Sequence, residues 1–131
     1  MSSYTLSATV TLPYDEAVTA TRSALAEHGF GVLTEIDVAA TLKSKLDVDM
    51  ERVVILGACR PALAHAALGT DRSVATMLPC NVVVRALDER TTLVEAFDPA
   101  VMTRIAPGLE SVATEAGERL TAALAALAGE G

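Results

Sequence analysis

The chain has 131 residues, 51% of them hydrophobic and only 3% aromatic, with a formal net charge of −7 from seventeen acids and ten bases. That apolar content excludes a disordered chain, and the length fits one domain spanning residues 1–131. The acidic balance excludes nucleic acid and an anionic membrane surface as partners, since both need a basic footprint.

No apolar run approaches the ~20 residues that span a bilayer. Met1-Ser2-Ser3-Tyr4 has neither the basic start nor the apolar core of a secretory signal, which predicts a cytoplasmic protein. In that setting two cysteines are expected to be reduced. With no Trp, the core must be built from Ala, Val, Leu and Ile.

Residues 4–11 are β-branched, with Leu6, Ala8 and Val10 alternating with polar positions, the pattern of a half-buried strand. Pro13, in a first helical turn, and the carboxylates of Asp15 and Glu16 open a helix over residues 13–28. Tyr14, Ala17, Val18, Thr21, Leu25 and His28 share one side of it, and Gly29 stops it. Residues 31–37 form a second strand. Asp37 caps a short helix whose apolar spacing runs from Val38 to Leu46, and Asp47-Val48-Asp49 ends it.

Residues 52–58 form a third strand. Its continuous Val53 to Leu56 core predicts cover on both faces. Pro61 starts a helix that Gly69 stops, and residues 70–73 read as a polar loop. A Val-rich strand over 81–87, a turn at Asp88-Glu89-Arg90 and a return strand over 91–97 make a hairpin closed by Asp98-Pro99. A last helix starts from Pro107, its stripe running through Ile105, Leu109, Val112, Ala116, Leu120, Ala123 and Leu127 and fraying from about Ala128. The order β-α-β-α-β-α-β-β-α, with a closing hairpin, predicts an α+β two-layer sandwich. Its helices pack on one face of a mostly antiparallel sheet.

Gly57-Ala58-Cys59-Arg60-Pro61, Ala64-His65-Ala66-Ala67-Leu68, Leu78-Pro79-Cys80-Asn81-Val82 and Asp98-Pro99 are the pieces that carry a resemblance. Together with Leu42-Lys43-Ser44-Lys45-Leu46 they resemble the domain of unknown function 302 family of bacteria and archaea over roughly residues 4–105. Arg60 stands where that family often has Asn. The resemblance implies a small α+β domain that forms homodimers, and it implies no particular reaction. A thin, Ala-rich core that gains by burying a further apolar face agrees with self-association.

The candidate site is built around the two cysteines. Cys59 precedes Pro61 at the mouth of a helix, where the dipole and Arg60 favour a thiolate, and Cys80 enters the next strand. Both also suit the role of small buried hydrophobes. His65, six residues after Cys59, is the local base or third metal ligand on offer, and Asp98 the group to orient it. Without Cys-x-x-Cys or paired histidines there is no complete metal set, and no catalytic set or cofactor motif either. Asn81 and Lys45 complete the candidates: an amide that bonds either loop backbone or a ligand, and a cation that either snorkels at the surface or awaits an anionic ligand. Three functions remain open. One is a homodimeric binding module whose groove takes a small ligand near Cys59 and Cys80. A second is a redox sensor or thiol enzyme using Cys59, with Cys80 resolving. The third is a structural or interaction protein.

Overall fold

A computed structural model describes residues 3–129. Its elements are β1 (Thr5–Val10), α1 (Tyr14–Glu27), β2 (Gly31–Asp37), α2 (Val38–Leu46), β3 (Val53–Cys59), α3 (Pro61–Thr70), β4 (Cys80–Ala86), β5 (Thr92–Phe97), α4 (Met102–Ile105) and α5 (Glu110–Ala128). Short 3-10 turns at Arg72–Met77 and Pro99–Val101 lead into β4 and α4. The five strands form one sheet in the order β1-β5-β4-β3-β2, every neighbouring pair antiparallel. Helices pack on one side of it, so the chain is an α+β sandwich.

The pleat explains which residues make the core. Val54, Leu56 and Ala58 of β3, Val82 and Val84 of β4, and Val94 and Ala96 of β5 share the helix-facing side with Val10. Against them lie Ala17, Ala24 and Leu25 of α1 and Leu120, Ala123, Leu124 and Leu127 of α5. The small alanines let both helices approach the sheet closely. Thr21 is fully buried on α1 and satisfies its hydroxyl by donating to the Ala17 carbonyl at 2.7 Å. β3 is the most enclosed strand: Val53 and Gly57, which alternate to the far side, are buried as well.

Local chemistry sets most boundaries. Asp37 accepts from the Ala40 N–H at 2.9 Å and caps α2, and Pro61 occupies the first turn of α3. Gly29 has φ +90, the left-handed backbone that lets α1 end and the chain turn into β2. Pro13 sits one residue outside α1, as its N-cap. Gly69 does not end α3, which runs on to Thr70; with no Cβ contact nearby, glycine there costs helix propensity without forcing a stop. The polar residues 70–73 are partly ordered: Asp71 accepts from the Ser73 N–H at 3.0 Å and opens a 3-10 turn.

One expectation fails in a definite way. The last helix begins at Glu110, and Ile105 lies in the separate α4, 66% exposed. Gly108 has φ +85, so the backbone reverses hand between the two segments and no helix can run through it. Among the described residues, no helix is long and apolar enough to cross a membrane.

Candidate functional site

At one end of the sheet, the end of β3 and the start of β4 meet α3, α4 and the first turns of α5. An apolar pocket lies there, lined by Phe30, Ala58, Cys59 and Arg60, by Leu63, Ala64 and Ala67 of α3, and by Leu78, Pro79 and Cys80. Pro99, Met102, Val112, Ala113 and Ala116 close it from the other side. Its empty volume is about 440 Å³ counting the open mouth, of which about 30 Å³ holds a water-sized molecule. That space admits one or two waters, and a larger occupant must extend into the open part.

Register brings the two cysteines here. Ala58 pairs with Cys80 across β3 and β4, so Cys59 sits one step further along. Strand spacing and rise put the two Cα atoms about 6 Å apart. Within the sheet they would face opposite sides. Both line the pocket because it closes the end of the sheet rather than one face. The two thiols are free. Burial pushes the Cys80 thiol above its ordinary value, and the nearby Cys59 sulfur pushes it the same way.

Gly57 fixes this corner. A Cβ there would overlap the Thr34 hydroxyl and come within 2.8 Å of Pro79 Cγ. Thr34 is the cross-strand partner of Gly57 on β2. The Leu78–Pro79 peptide is cis. Glycine is therefore needed for close approach, with Thr34 and Pro79 crossing over its backbone.

Arg60 occupies the N-cap position of α3, and its side chain is 28% exposed. Its Nε donates to Glu115 Oε2 at 3.3 Å, and its Nη1 reaches the Gly29 carbonyl at 3.5 Å. Arg119 donates to the same Glu115 oxygen at 3.0 Å and to the His28 carbonyl at 3.2 Å. Two guanidinium groups thus meet the His28 and Gly29 carbonyls just past the C-terminus of α1, where positive charge is favoured. They hold the Glu115 carboxyl below its ordinary range, Arg119 more than Arg60.

The structure gathers Cys59, Arg60 and Cys80, and it disperses the other candidates. His65 is exposed on α3 and does not line the pocket. Asp98 accepts from the Ala100 N–H at 3.0 Å and caps the turn before α4, which leaves it no imidazole to orient. Asn81 is exposed and pairs with Gly57, on the side of the sheet away from the core. Lys45 is exposed on α2. Among the described residues, no three His, Cys, Asp or Glu side chains gather to hold a metal.

Sequence reasoning missed Phe30, Met102 and the α5 residues Val112 and Ala113, which share the pocket, and the Glu115 and Arg119 side chains behind Arg60. The one signal for them is the spacing of Val112, Ala113 and Ala116 on the apolar stripe of α5. It marks burial without saying what they bury against.

No curated protein matches the chain. The crystal structure of an uncharacterized conserved DUF302 protein from Bacillus stearothermophilus is similar to it. Their TM-score is 0.87 and their identity 27%, over 96% of this chain and 99% of that one. A family model, described as a domain of unknown function, matches residues 6–127. The fold, the sheet end with its paired joints and this match over most of the length lead to one conclusion: the chain belongs to the DUF302 family.

Proposed function

We propose that the chain is a binding module, acting as a homodimer, whose apolar pocket takes a small ligand between the Cys59 and Cys80 joints. The observation that carries this reading is the pocket itself. Two joints 21 positions apart in sequence converge on one apolar concavity at the end of the sheet, and small-molecule sites are concave and mostly apolar. For the dimer, the supporting observation is a concentration of exposed apolar side chains in residues 33–50. Leu33, Ile36, Leu46, Val48 and Met50 are each 39% exposed or more, and β2 is an edge strand. A reducing, cytoplasmic setting agrees with two free thiols.

The test is thermal stabilisation of the whole chain by a library of small apolar and amphiphilic compounds. A true ligand at a hundred times its dissociation constant stabilises by about 2.7 kcal/mol, a clear rise in midpoint. No stabilisation by any compound, in a chain whose pocket stays filled by its own side chains, contradicts the reading. Sedimentation checks the dimer, and a monomer at micromolar concentration overturns that part.

A second reading has one observation in its favour: both cysteines line the same pocket, and the Cys59 sulfur is near enough to raise the Cys80 thiol. In it, Cys59 is the attacking thiol and Cys80 the resolving one. The elevated Cys80 thiol works against easy resolution, because the thiolate is the reactive form. Thiol reactivity followed against pH decides it, and Cys59 that alkylates only after denaturation removes it.

A further inference from the structure

We propose that the occupant of the pocket is a small amphiphilic monoanion, a short- or medium-chain carboxylate, with its head group on Arg60 and its tail against Ala64, Ala67, Val112 and Ala116. This rests on the pocket-binding reading above and names the class of ligand.

Of the residues around the pocket, Arg60 alone is charged, and the rest are apolar or thiol-bearing. A ligand that fits is apolar along its length and polar at one end, where it meets the guanidinium. The sign of that end follows from counting charge at the rim. Arg60 and Arg119 share one carboxylate, Glu115, through a single oxygen. That leaves a surplus of one positive charge. The C-terminus of α1 and the N-terminus of α3 both end at this corner, with partial charges of about −0.5 and +0.5 that offset each other. The surplus persists in a chain whose overall charge is −7, so it is a local feature and not a general attraction for anions.

Arg60 is also under-used where it stands. Its bonds are at the long end of the range, 3.3 Å to Glu115 and 3.5 Å to the Gly29 carbonyl. Its Nη2 has no hydrogen-bond partner among the described residues. A guanidinium presents five N–H donors in a planar fork that matches a carboxylate in two places. A monocarboxylate satisfies the free edge of that fork. The pocket's empty volume of about 440 Å³ includes its open mouth, and only about 30 Å³ of it is open to a water-sized molecule, so the tail of such a ligand lies partly in the mouth.

The experiment compares butanoate, hexanoate and octanoate with octanol, by calorimetric titration of the whole chain and by its NMR spectrum. Octanoate is expected to bind about tenfold more tightly than octanol, the preference of a charged hydrogen bond in a partly buried site. Each added methylene tightens binding by about fourfold until the pocket is full. In Arg60→Gln the octanoate-to-octanol ratio falls to about one. Equal affinities in the unaltered chain, or a ratio undiminished by Arg60→Gln, overturns the proposal and leaves pocket binding standing. Binding of neither compound overturns both. If Arg60→Gln does not fold, the Arg60 Nε–H resonance of the unaltered chain decides. It is expected to shift with octanoate and stay fixed with octanol, and a shift with both or with neither refutes the head-group contact.

Discussion

Replacing Gly57 by Ala tests how the corner of the pocket is built. The new methyl would overlap the Thr34 hydroxyl and sit 2.8 Å from Pro79 Cγ, closer than real Cβ contacts. Only one rotamer of Thr34, the one that turns its Cβ hydrogen to Gly57, relieves the first contact, since the other two place the hydroxyl or the methyl there, and the Pro79 contact stays in every case. Overpacking of this kind costs ~1–3 kcal/mol. Gly57 does not have a positive φ, so alanine's backbone preference works the other way and returns ~0.4–1 kcal/mol through the unfolded state. The net expectation is a loss of about 1–2 kcal/mol, or roughly 3–10 °C in Tm for a chain of this size. Thermal and urea unfolding of Gly57→Ala, Thr34→Ala and the double variant form a cycle. Thr34→Ala should recover about 0.5–1.5 kcal/mol of the Gly57→Ala loss. A Gly57→Ala chain as stable as the original, or a penalty that Thr34→Ala leaves untouched, refutes the account of why glycine stands there.

Three further outcomes follow from the same geometry. Leu120→Ala, at a fully buried position where α5 meets the sheet, should cost about 2–5 kcal/mol in urea unfolding, while Ile105→Ala, exposed on α4, should cost little. Glu115 has its folded pKa held below the ordinary 4.5 by the two arginines, so its stabilisation is present above that value and is lost as pH falls through the lower folded one. Glu115→Gln should therefore flatten the drop in urea midpoint between about pH 5 and pH 2, and an unchanged acid limb would show that the arginines do not hold it. With a maleimide at neutral pH in the folded chain, Cys59 should react before Cys80, whose thiol is raised by burial and by its neighbour; mass spectrometry of the first-labelled peptide reads the order.

Much of the fold is legible in the residues because its signals are local. Alternation in β1, the Asp37 cap, Gly29 and the Pro61 start each act within a few positions, and each element they mark exists. The hairpin of β4 and β5 follows from its turn: Asp88 accepts from the Arg90 N–H at 2.8 Å. The start of α5 was hidden because apolar spacing carries on through Pro107-Gly108 while the backbone does not. The Pro-Gly pair is the turn signal that outweighs the stripe. The site is legible only in part, for a different reason. Cys59, Arg60 and Cys80 sit on motifs, but Phe30, Met102 and Val112 reach the pocket through the strand order and the placement of α5. Those are long-range facts that no window of sequence holds. His65 fell out for the simplest cause: near in sequence to Cys59, it stands on the exposed side of α3.

The central claim is that the sheet-end pocket opens to a small apolar molecule. Benzene added to the isotope-labelled chain tests it most directly, because it reports on the cavity whatever the natural ligand is. Saturable shifts are predicted at Phe30, Cys80, Ala113 and Ala116, with none at His65 or Lys45, and Ala116→Leu should abolish them by filling the space. Shifts that do not saturate, that centre elsewhere, or that survive Ala116→Leu unchanged would contradict the claim.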